Sequence, residues 1–327
     1  MKAYQLEEFG REPVLVEIAQ PQPDAGQVRV QIAACGLNFA DLLMIAGTYQ
    51  ELPTLPFIPG MEVAGIIDKL GAGVAGLNEG DRVVVFSGSG GLAEYGCFDA
   101  ARCISIPSGM PFDDAAAFQV AYGTSHLALD HRARLQPGET LVVLGAAGGV
   151  GLTAVEIGKQ MGAKVIAVAR GVEKLAIAKT AGADHLIDSD TQDIRSEIKR
   201  LGGADVVYDP VGGDQFKAAL RGCNPEARFI VIGFASGDIP QIPANILLVK
   251  NITVIGHYWG GYAAFAPKVL FDSMATLLGW YASGRLRPHI SHRLPLERSL
   301  EALDLLRRRK STGKVVVVTP RPASQIV

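Results

Sequence analysis

The sequence lacks the features that mark several classes of protein. Its four cysteines, Cys35, Cys97, Cys103 and Cys223, show no C-x-x-C spacing, which disfavours a structural zinc site and a disulfide framework. No apolar run approaches the roughly 18–20 residues of a membrane span, and the acidic amino terminus lacks the apolar run of a signal peptide. A net charge of -2 gives no electrostatic basis for binding nucleic acid. We therefore expect a cytoplasmic protein with neither a nucleic acid nor a membrane as partner.

The length of 327 residues exceeds that of a typical single domain, so two domains are expected. The first hundred residues are predicted to be rich in β-strands, because apolar residues alternate with polar ones between turn clusters. The strand patterns cover residues 27–32, 63–70, 82–86, 93–98 and 103–106. A helical segment is predicted from Phe112 to about Leu129.

From Thr140 onward, short apolar strands alternate with helical patterns. The strands are predicted at 140–144, 164–169, 185–187, 205–208, 228–232 and 253–256, and the helices at 150–161, 173–181, 194–201 and 215–221. This alternation indicates a parallel sheet covered on both faces. Helices at 268–283 and 296–309 and a strand at 314–319 complete the chain.

A glycine-rich turn joins the first of these strands to the next helix. Its spacing, Ala146-x-Gly148-x-x-Gly151, is that of a dinucleotide fingerprint with alanine in the first glycine position. Glycines let the backbone approach a pyrophosphate, and the helix directs its free N–H groups at the anion. The alternative is a glycine-rich turn without a ligand. The cofactor-binding candidates here are Ala146, Ala147, Gly148, Gly149, Val150 and Gly151.

The end of the next strand indicates which dinucleotide is bound. In an NAD-selective fold an acidic residue at this point binds the ribose hydroxyls, but the chain has Ala169 followed by Arg170. Arg170 and Lys174 can form charge-assisted bonds to a 2′-phosphate, which favours NADPH. The alternative is that both are ordinary cations on a helix surface.

Landmarks along the whole chain resemble the medium-chain dehydrogenase/reductase superfamily, and within it the zinc-free NADPH:quinone oxidoreductase branch related to zeta-crystallin. They are Gly36-Leu37-Asn38-Phe39-Ala40-Asp41, Pro59-Gly60-Met61-Glu62-Val63-Ala64-Gly65, Gly80-Asp81-Arg82-Val83, the fingerprint, and Thr312-Gly313-Lys314-Val315-Val316. The resemblance implies an α/β fold in which a Rossmann domain with a doubly wound parallel sheet, residues 121–266, is inserted into a β-rich GroES-like catalytic domain, residues 1–120 and 267–327. It also implies a homodimer that pairs through the edge strand at 252–256.

The residues at the metal positions of zinc relatives point to zinc-independent chemistry. In those relatives a cysteine and a histidine hold the catalytic zinc, and here these positions fall on Asn38 and Met61. An amide supplies no thiolate and a thioether is a weak zinc ligand. Polarising an alcohol requires the metal, so we expect hydride transfer from NADPH to a quinone or another conjugated carbonyl acceptor.

The resemblance also assigns candidate catalytic residues. Tyr49 has the spacing N-x-x-D-x-x-x-x-x-G-x-Y seen in enoyl-thioester reductases, where this tyrosine is the proton donor; the alternative is a packing residue. Asn38 is expected to orient the nicotinamide or a substrate oxygen, or else to close a loop. Asp41 is expected to cap a helix. Leu43 replaces a second tyrosine of several quinone reductases.

Further cofactor contacts follow from the resemblance alone. Tyr122 and Thr124 are expected beside the nicotinamide, and the other candidates are Ser189, Gly233, Phe234, Ser236, Tyr258, Trp259 and Lys314. Glu62 and all six histidines are expected to be structural. Two other functions stay open: an enoyl-thioester reductase that uses Tyr49, and an NADPH-binding protein with a structural or regulatory role.

Overall fold

A computed structural model describes residues 1–319, which form two compact units. The first unit consists of Met1–Val120 and the chain from Pro288 onward, and the second is Ala121–Arg287. The second unit therefore ends at Arg287 rather than at residue 266. One reason is that His126 Nδ1 lies 2.8 Å from Ser273 Oγ, which ties residues beyond 266 to this unit. Residues 320–327 of the domain predicted at 267–327 lie outside the described part of the chain.

The amino-terminal segment of the first unit is mostly antiparallel β-structure. Its elements are β1 (Lys2–Gln5), β2 (Val14–Glu17), β3 (Gln27–Leu37), α1 (Phe39–Ile45), β4 (Glu62–Leu70), β5 (Arg82–Phe86), β6 (Tyr95–Asp99), β7 (Cys103–Ser105) and α2 (Phe112–Ala116). From Gln27 to Ala34 of β3 buried and partly exposed residues alternate, because one face of the strand packs on the core and the other approaches solvent; the last residues of the strand are buried on both faces.

The second unit alternates strands with helices. Its elements are α3 (Gln119–His126), which begins in the first unit, then β8 (Thr140–Leu144), α4 (Gly149–Gln160), β9 (Lys164–Ala169), α5 (Gly171–Thr180), β10 (His185–Asp188), α6 (Ile194–Arg200), β11 (Ala204–Asp209), α7 (Gly213–Gly222), β12 (Cys223–Val231), α8 (Ala244–Lys250), β13 (Thr253–Gly256), α9 (Tyr262–Phe265) and α10 (Pro267–Ala282).

The sheet of the second unit has the strand order β10-β9-β8-β11-β12-β13, and its neighbouring strands are parallel. All five residues of β8 are buried, as a central strand covered on both faces requires. The order reverses between β8 and β11, which is where doubly wound folds bind their ligands. The predicted doubly wound α/β fold is confirmed.

The carboxyl-terminal segment returns to the first unit through β14 (Ile290–Pro295), α11 (Ser299–Arg307) and β15 (Lys314–Val318). β15 pairs antiparallel with β3, with Val315 opposite Leu37. On its other side β3 pairs with β4, with Gly36 opposite Glu62. These two registers bring the end of β3, the start of β4 and the start of β15 together. Over residues 1–319, the helices are all too short or too polar to cross a membrane.

Candidate active site

The fingerprint turn, residues 145–151, joins β8 to α4 and includes the first three residues of the helix. Gly145 adopts a φ of 59°, and the Gly148 N–H donates to its carbonyl oxygen at 2.9 Å. A Cβ atom on Gly151 would lie 2.2 Å from that same oxygen, so only glycine fits there. The turn leads directly into the first residues of α4, whose N–H groups have no acceptor within the helix. This geometry suits a pyrophosphate.

The junction between β9 and α5 carries the predicted 2′-phosphate ligands. Arg170 immediately precedes α5, and its Nε lies 3.8 Å from Asp190 Oδ1. Both side chains are more than half exposed, so this ion pair is weak and leaves the guanidinium accessible to an anion. Lys174 lies one turn further along α5 and is half-buried.

Ser189 follows β10 at the same edge of the sheet. Its N–H donates to the Ala169 carbonyl at 3.0 Å. Its Oγ is buried and has no hydrogen-bond partner among the described residues. A buried hydroxyl without a partner is costly, and a polar group of a bound dinucleotide would satisfy it. Arg170 and Ser189 therefore place a cation and a hydroxyl at the same edge of the sheet.

Tyr122 and Thr124 are both buried on α3. The Tyr122 hydroxyl donates to Glu156 Oε2 at 2.5 Å, so it is bonded to a side chain of α4. Burial raises the pKa of Glu156. Because of this bond, Tyr122 fixes α3 against α4 within the second unit.

Trp259 packs on the same helix, because a Cβ on Gly123 would lie 2.7 Å from its indole Nε1. It is 4% exposed, whereas the adjacent Tyr258 is 37% exposed. Trp259 therefore belongs to the packing of the second unit, and Tyr258 has the larger surface available for a ligand.

The turn after β11 supports the loop that contains Gly233, Phe234 and Ser236. The Asp209 carbonyl accepts from the Gly233 N–H at 3.3 Å, and the Ser236 N–H donates to the Val211 carbonyl at 2.9 Å. Val211 also contacts the fingerprint turn, since a Cβ on Gly145 would lie 2.9 Å from its Cγ2. The loop that contains Gly233, Phe234 and Ser236 and the fingerprint turn therefore both contact the turn after β11, at the carboxyl edge of the sheet.

Asp209 itself was not among the predicted site residues. Its Oδ1 accepts from the N–H groups of Val211 and Gly212 at 2.7 and 2.9 Å. Its Oδ2 is buried without a partner among residues 1–319, and burial raises the pKa of this carboxyl group to about 6. An aspartate that ends an apolar strand and precedes Pro210 is the sequence signal that could have indicated it.

In the first unit, Asn38, Glu62 and Lys314 form a buried polar cluster. The Lys314 ammonium lies 2.5 Å from Glu62 Oε1 and 2.7 Å from Asn38 Oδ1. Asn38 Nδ2 donates to Glu62 Oε1 at 2.9 Å. The predicted candidates Asn38 and Lys314 are thus brought together, although they are far apart in sequence. The sequence predicts only a structural role for Glu62; its position as a carboxylate beside an apolar strand segment is the signal that a cation faces it.

Asp41 extends this polar region into α1. Its Oδ2 accepts from the Asn38 N–H at 2.8 Å, the arrangement of a helix cap. The carboxyl group is fully buried, and burial raises its pKa to about 7. Tyr49 follows α1 and Gly47; it is half-buried and packs against the first unit's core. The packing alternative and the proton-donor hypothesis for Tyr49 are both compatible with this position.

The two positions that hold zinc ligands in the zinc relatives have other surroundings here. Asn38 is bonded to Glu62 and Lys314, and Met61 is 2% exposed within the first unit's core. No group of three or more histidine, cysteine, aspartate or glutamate side chains in residues 1–319 is arranged to hold a metal ion.

Two family models match the chain, one in each part of the sequence. Residues 24–108 match the alcohol dehydrogenase GroES-like domain, and residues 149–275 match the zinc-binding dehydrogenase model. The first range lies in the antiparallel unit, and the second begins in the fingerprint turn. Fold and site thus define a two-domain dehydrogenase or reductase.

Individual relatives specify the branch. Quinone oxidoreductase-like protein 2 homolog from Nematostella vectensis is 42% identical over 97% of this chain and 89% of that protein. The quinone oxidoreductase of Thermus thermophilus, solved also with NADPH, is 33% identical with a TM-score of 0.86, over 97% of this chain and 100% of that one. The Escherichia coli quinone oxidoreductase complexed with NADPH is 27% identical with a TM-score of 0.90, over 97% and 100%. The chain belongs to the quinone oxidoreductase branch of the medium-chain dehydrogenase/reductase superfamily.

Proposed function

We propose that this protein is a zinc-independent, NADPH-dependent reductase that transfers hydride to a quinone or another conjugated carbonyl acceptor. The observation that carries the proposal is the fingerprint turn, in which Gly151 leaves space that a Cβ would fill beside the Gly145 carbonyl. Relatives that bind NADPH share the fold over nearly the whole chain.

The second unit supplies residues suited to each part of NADPH. The first N–H groups of α4 would hold the pyrophosphate, Arg170 and Lys174 the 2′-phosphate, and the buried Ser189 hydroxyl another polar group of the cofactor. When bound, NADPH supplies the hydride. Because Ala169 replaces the usual acid, β9 itself ends without a carboxylate that would repel the additional phosphate. The carboxylates nearby belong to β10 and the residues after it: Asp188 accepts from the Gly171 N–H, and Asp190 pairs with Arg170.

The first unit supports hydride transfer without zinc. A divalent cation at Asn38 would lie close to the Lys314 ammonium, which is 2.7 Å from Asn38 Oδ1, and the two positive charges would repel each other. The fixed ammonium and the Asn38 amide are instead suited to an oxygen atom that gains negative charge during the reaction.

The test is NADPH oxidation by the purified protein with 1,4-quinones, with enones and with simple alcohols plus NADP⁺. We expect turnover with the conjugated acceptors, little with alcohols, and no loss of activity after treatment with a chelator. NADPH binding without turnover of either acceptor class would contradict the proposal and favour a structural or regulatory role.

The second candidate function is reduction of an enoyl thioester, and the spacing from Asn38 and Asp41 to Tyr49 favours it. In this reaction the phenol protonates the carbon skeleton after hydride transfer. Tyr49→Phe should then abolish thioester reduction and leave quinone reduction within about twofold of wild type. Equal retention of both activities would make Tyr49 a packing residue.

A further inference from the structure

Glu62 is the most deeply buried member of the polar cluster of the first unit. It is 0% exposed, and both of its carboxylate oxygens accept hydrogen bonds. Oε1 accepts from Lys314 and Asn38, and Oε2 accepts from the Val120 N–H at 2.8 Å. The carboxylate therefore fixes three groups that come from distant parts of the sequence.

Lys314 is buried almost as completely, at 4% exposure. Its ammonium has three N–H groups, and in the described chain two acceptors lie within reach, Glu62 Oε1 and Asn38 Oδ1. One N–H is left over. Because Glu62 neutralises the charge and holds the side chain in place, this N–H keeps a fixed position for an oxygen acceptor.

The backbone is built to admit this arrangement. A Cβ on Gly36 would lie 2.9 Å from Glu62 Oε1 and 1.8 Å from the Ala116 carbonyl oxygen, so β3 requires glycine opposite Glu62. Asp41 Oδ2 accepts a hydrogen bond from the backbone N–H of Asn38 at 2.8 Å. The backbone N–H of Asn38 is thus held by Asp41, and its side-chain amide is held separately by Glu62 and Lys314.

We propose that Glu62 is a positioning residue: it holds the Lys314 ammonium and the Asn38 amide as one rigid donor unit, and the remaining Lys314 N–H donates to an oxygen of the acceptor during hydride transfer. This inference rests on the proposed reductase function. It assigns to Glu62 a role beyond supporting the fold. The reaction then requires the Glu62–Lys314 pair rather than Lys314 alone.

A charge-balanced double variant separates this role from a structural one. Glu62→Gln leaves the buried ammonium without an anion, which should destabilise the fold and also impair the reaction. Glu62→Gln combined with Lys314→Met removes both charges and should restore stability, because no unpaired buried charge remains. If the cluster only supports the fold, the double variant also recovers activity. If it positions a donor, activity stays low.

The experiment measures the melting temperature, the Kd for NADPH by fluorescence titration, and kcat and KM with a 1,4-naphthoquinone. For the double variant we expect a melting temperature near that of wild type and a kcat lowered by about a hundredfold or more, the scale of losing one oriented donor. An unchanged Kd for NADPH with a lowered kcat or a raised acceptor KM assigns the N–H to the acceptor; a rise in the Kd for NADPH with unchanged kcat and KM would contradict this assignment.

Asp68→Asn is the matched control. Asp68 lies on the same strand as Glu62 and pairs with Arg29 of β3 at 2.9 Å, and this variant should keep kcat. A double variant with kcat, KM and Kd within about twofold of wild type would overturn the inference while leaving the reductase function intact. Absence of turnover in the wild-type protein with any quinone or enone would instead overturn both.

Discussion

Asp41 gives the protein a pH-dependent stability that can be traced to one carboxyl group. Its pKa is about 7 in the folded chain because of burial, against about 3.9 in an unfolded chain. The folded state therefore holds this proton more tightly, and the associated stabilisation is complete below about pH 4 and is lost as the pH rises through 7.

Asp41→Asn should remove this dependence. Relative to the variant, the wild-type protein should lose about 1–4 kcal/mol of unfolding free energy between pH 4 and pH 8. Denaturant unfolding at several pH values measures it, and the contribution of the buried Asp209 cancels because both proteins contain it. Parallel pH profiles for the two proteins would show that Asp41 does not titrate in this range.

Gly151 is a single residue on which the proposed cofactor site depends. Gly151→Ala places a Cβ 2.2 Å from the Gly145 carbonyl oxygen, so the fingerprint turn must open. We expect the Kd for NADPH to rise by about tenfold or more, equivalent to about 1.4 kcal/mol. Titration of the purified variant with NADPH measures this change.

Gly279→Ala is the comparison for that substitution. Gly279 lies in α10, and no atom comes within 4 Å of a Cβ placed there. This change should leave NADPH binding unaltered and stabilise the helix by about 0.5–1 kcal/mol. Unaltered NADPH affinity in Gly151→Ala would refute the role of the turn.

The break between α2 and α3 shows why the sequence alone could not predict where some elements begin and end. A continuous helix was predicted from Phe112, and in such a helix the Val120 N–H would bond to the Ala116 carbonyl. Instead the Val120 N–H donates to Glu62 Oε2, and the Ala116 carbonyl packs against Gly36. The residues that end the helix lie far away in sequence, so local patterns carry no sign of them.

Strands with strong patterns were predicted well. β8, β9 and β13 have the predicted bounds, because each is a short apolar run between turn signals. β1 and β2 were missed: they have four residues each and form a separate two-stranded sheet, and Ala3 of β1 also bridges to Ala93. β13 is equally short, so length is not the reason: β2 is mostly exposed, and its apolar residues do not follow the alternation of a half-buried strand.

The junction of β9 and α5 determines the preference for NADPH over NADH in our proposal. Arg170→Ala should raise the Kd for NADPH by about five- to tenfold and leave that for NADH nearly unchanged, because only NADPH carries the 2′-phosphate. Adding Ala169→Asp should shift the preference further toward NADH, since a carboxylate repels the phosphate and accepts from ribose hydroxyls.

Lys179→Ala is the control for that junction. Lys179 is a cation of the same helix, and its Nζ donates to the Ala183 carbonyl at 3.1 Å. This variant should keep the ratio of the two affinities. A preference that survives Arg170→Ala unchanged would assign the 2′-phosphate to other residues.

At the scale of the whole molecule, the sequence predicted the second unit more completely than the first. Alternating strands and helices indicate a parallel sheet directly, whereas the return of the carboxyl-terminal strand followed only from the family resemblance. β15 pairs with β3 although Val315 and Leu37 are distant in sequence. The buried polar cluster depends on this pairing, so its composition could not be derived from any one segment.

The outermost strand of the second unit's sheet is the basis for the predicted homodimer. β13 pairs with β12, and in the described chain its other edge has no strand beside it. Leu248 and Val249 on the preceding helix α8 are 79% and 80% exposed. An unpaired edge beside exposed apolar residues is a liability that pairing with a second copy removes, so we propose a homodimer that joins two β13 strands.

Light scattering at micromolar concentration should therefore give twice the chain mass of 34.6 kDa. Thr253→Lys adds a cation at an exposed position of β13, which blunts the edge and opposes a like charge on the second copy. We expect this variant to become monomeric or to dissociate at about tenfold higher concentration. Thr276→Lys, at an exposed position of α10, is the matched substitution and should remain dimeric. A monomeric wild type, or dimers of equal strength in both variants, would place the assembly surface elsewhere or show that none exists.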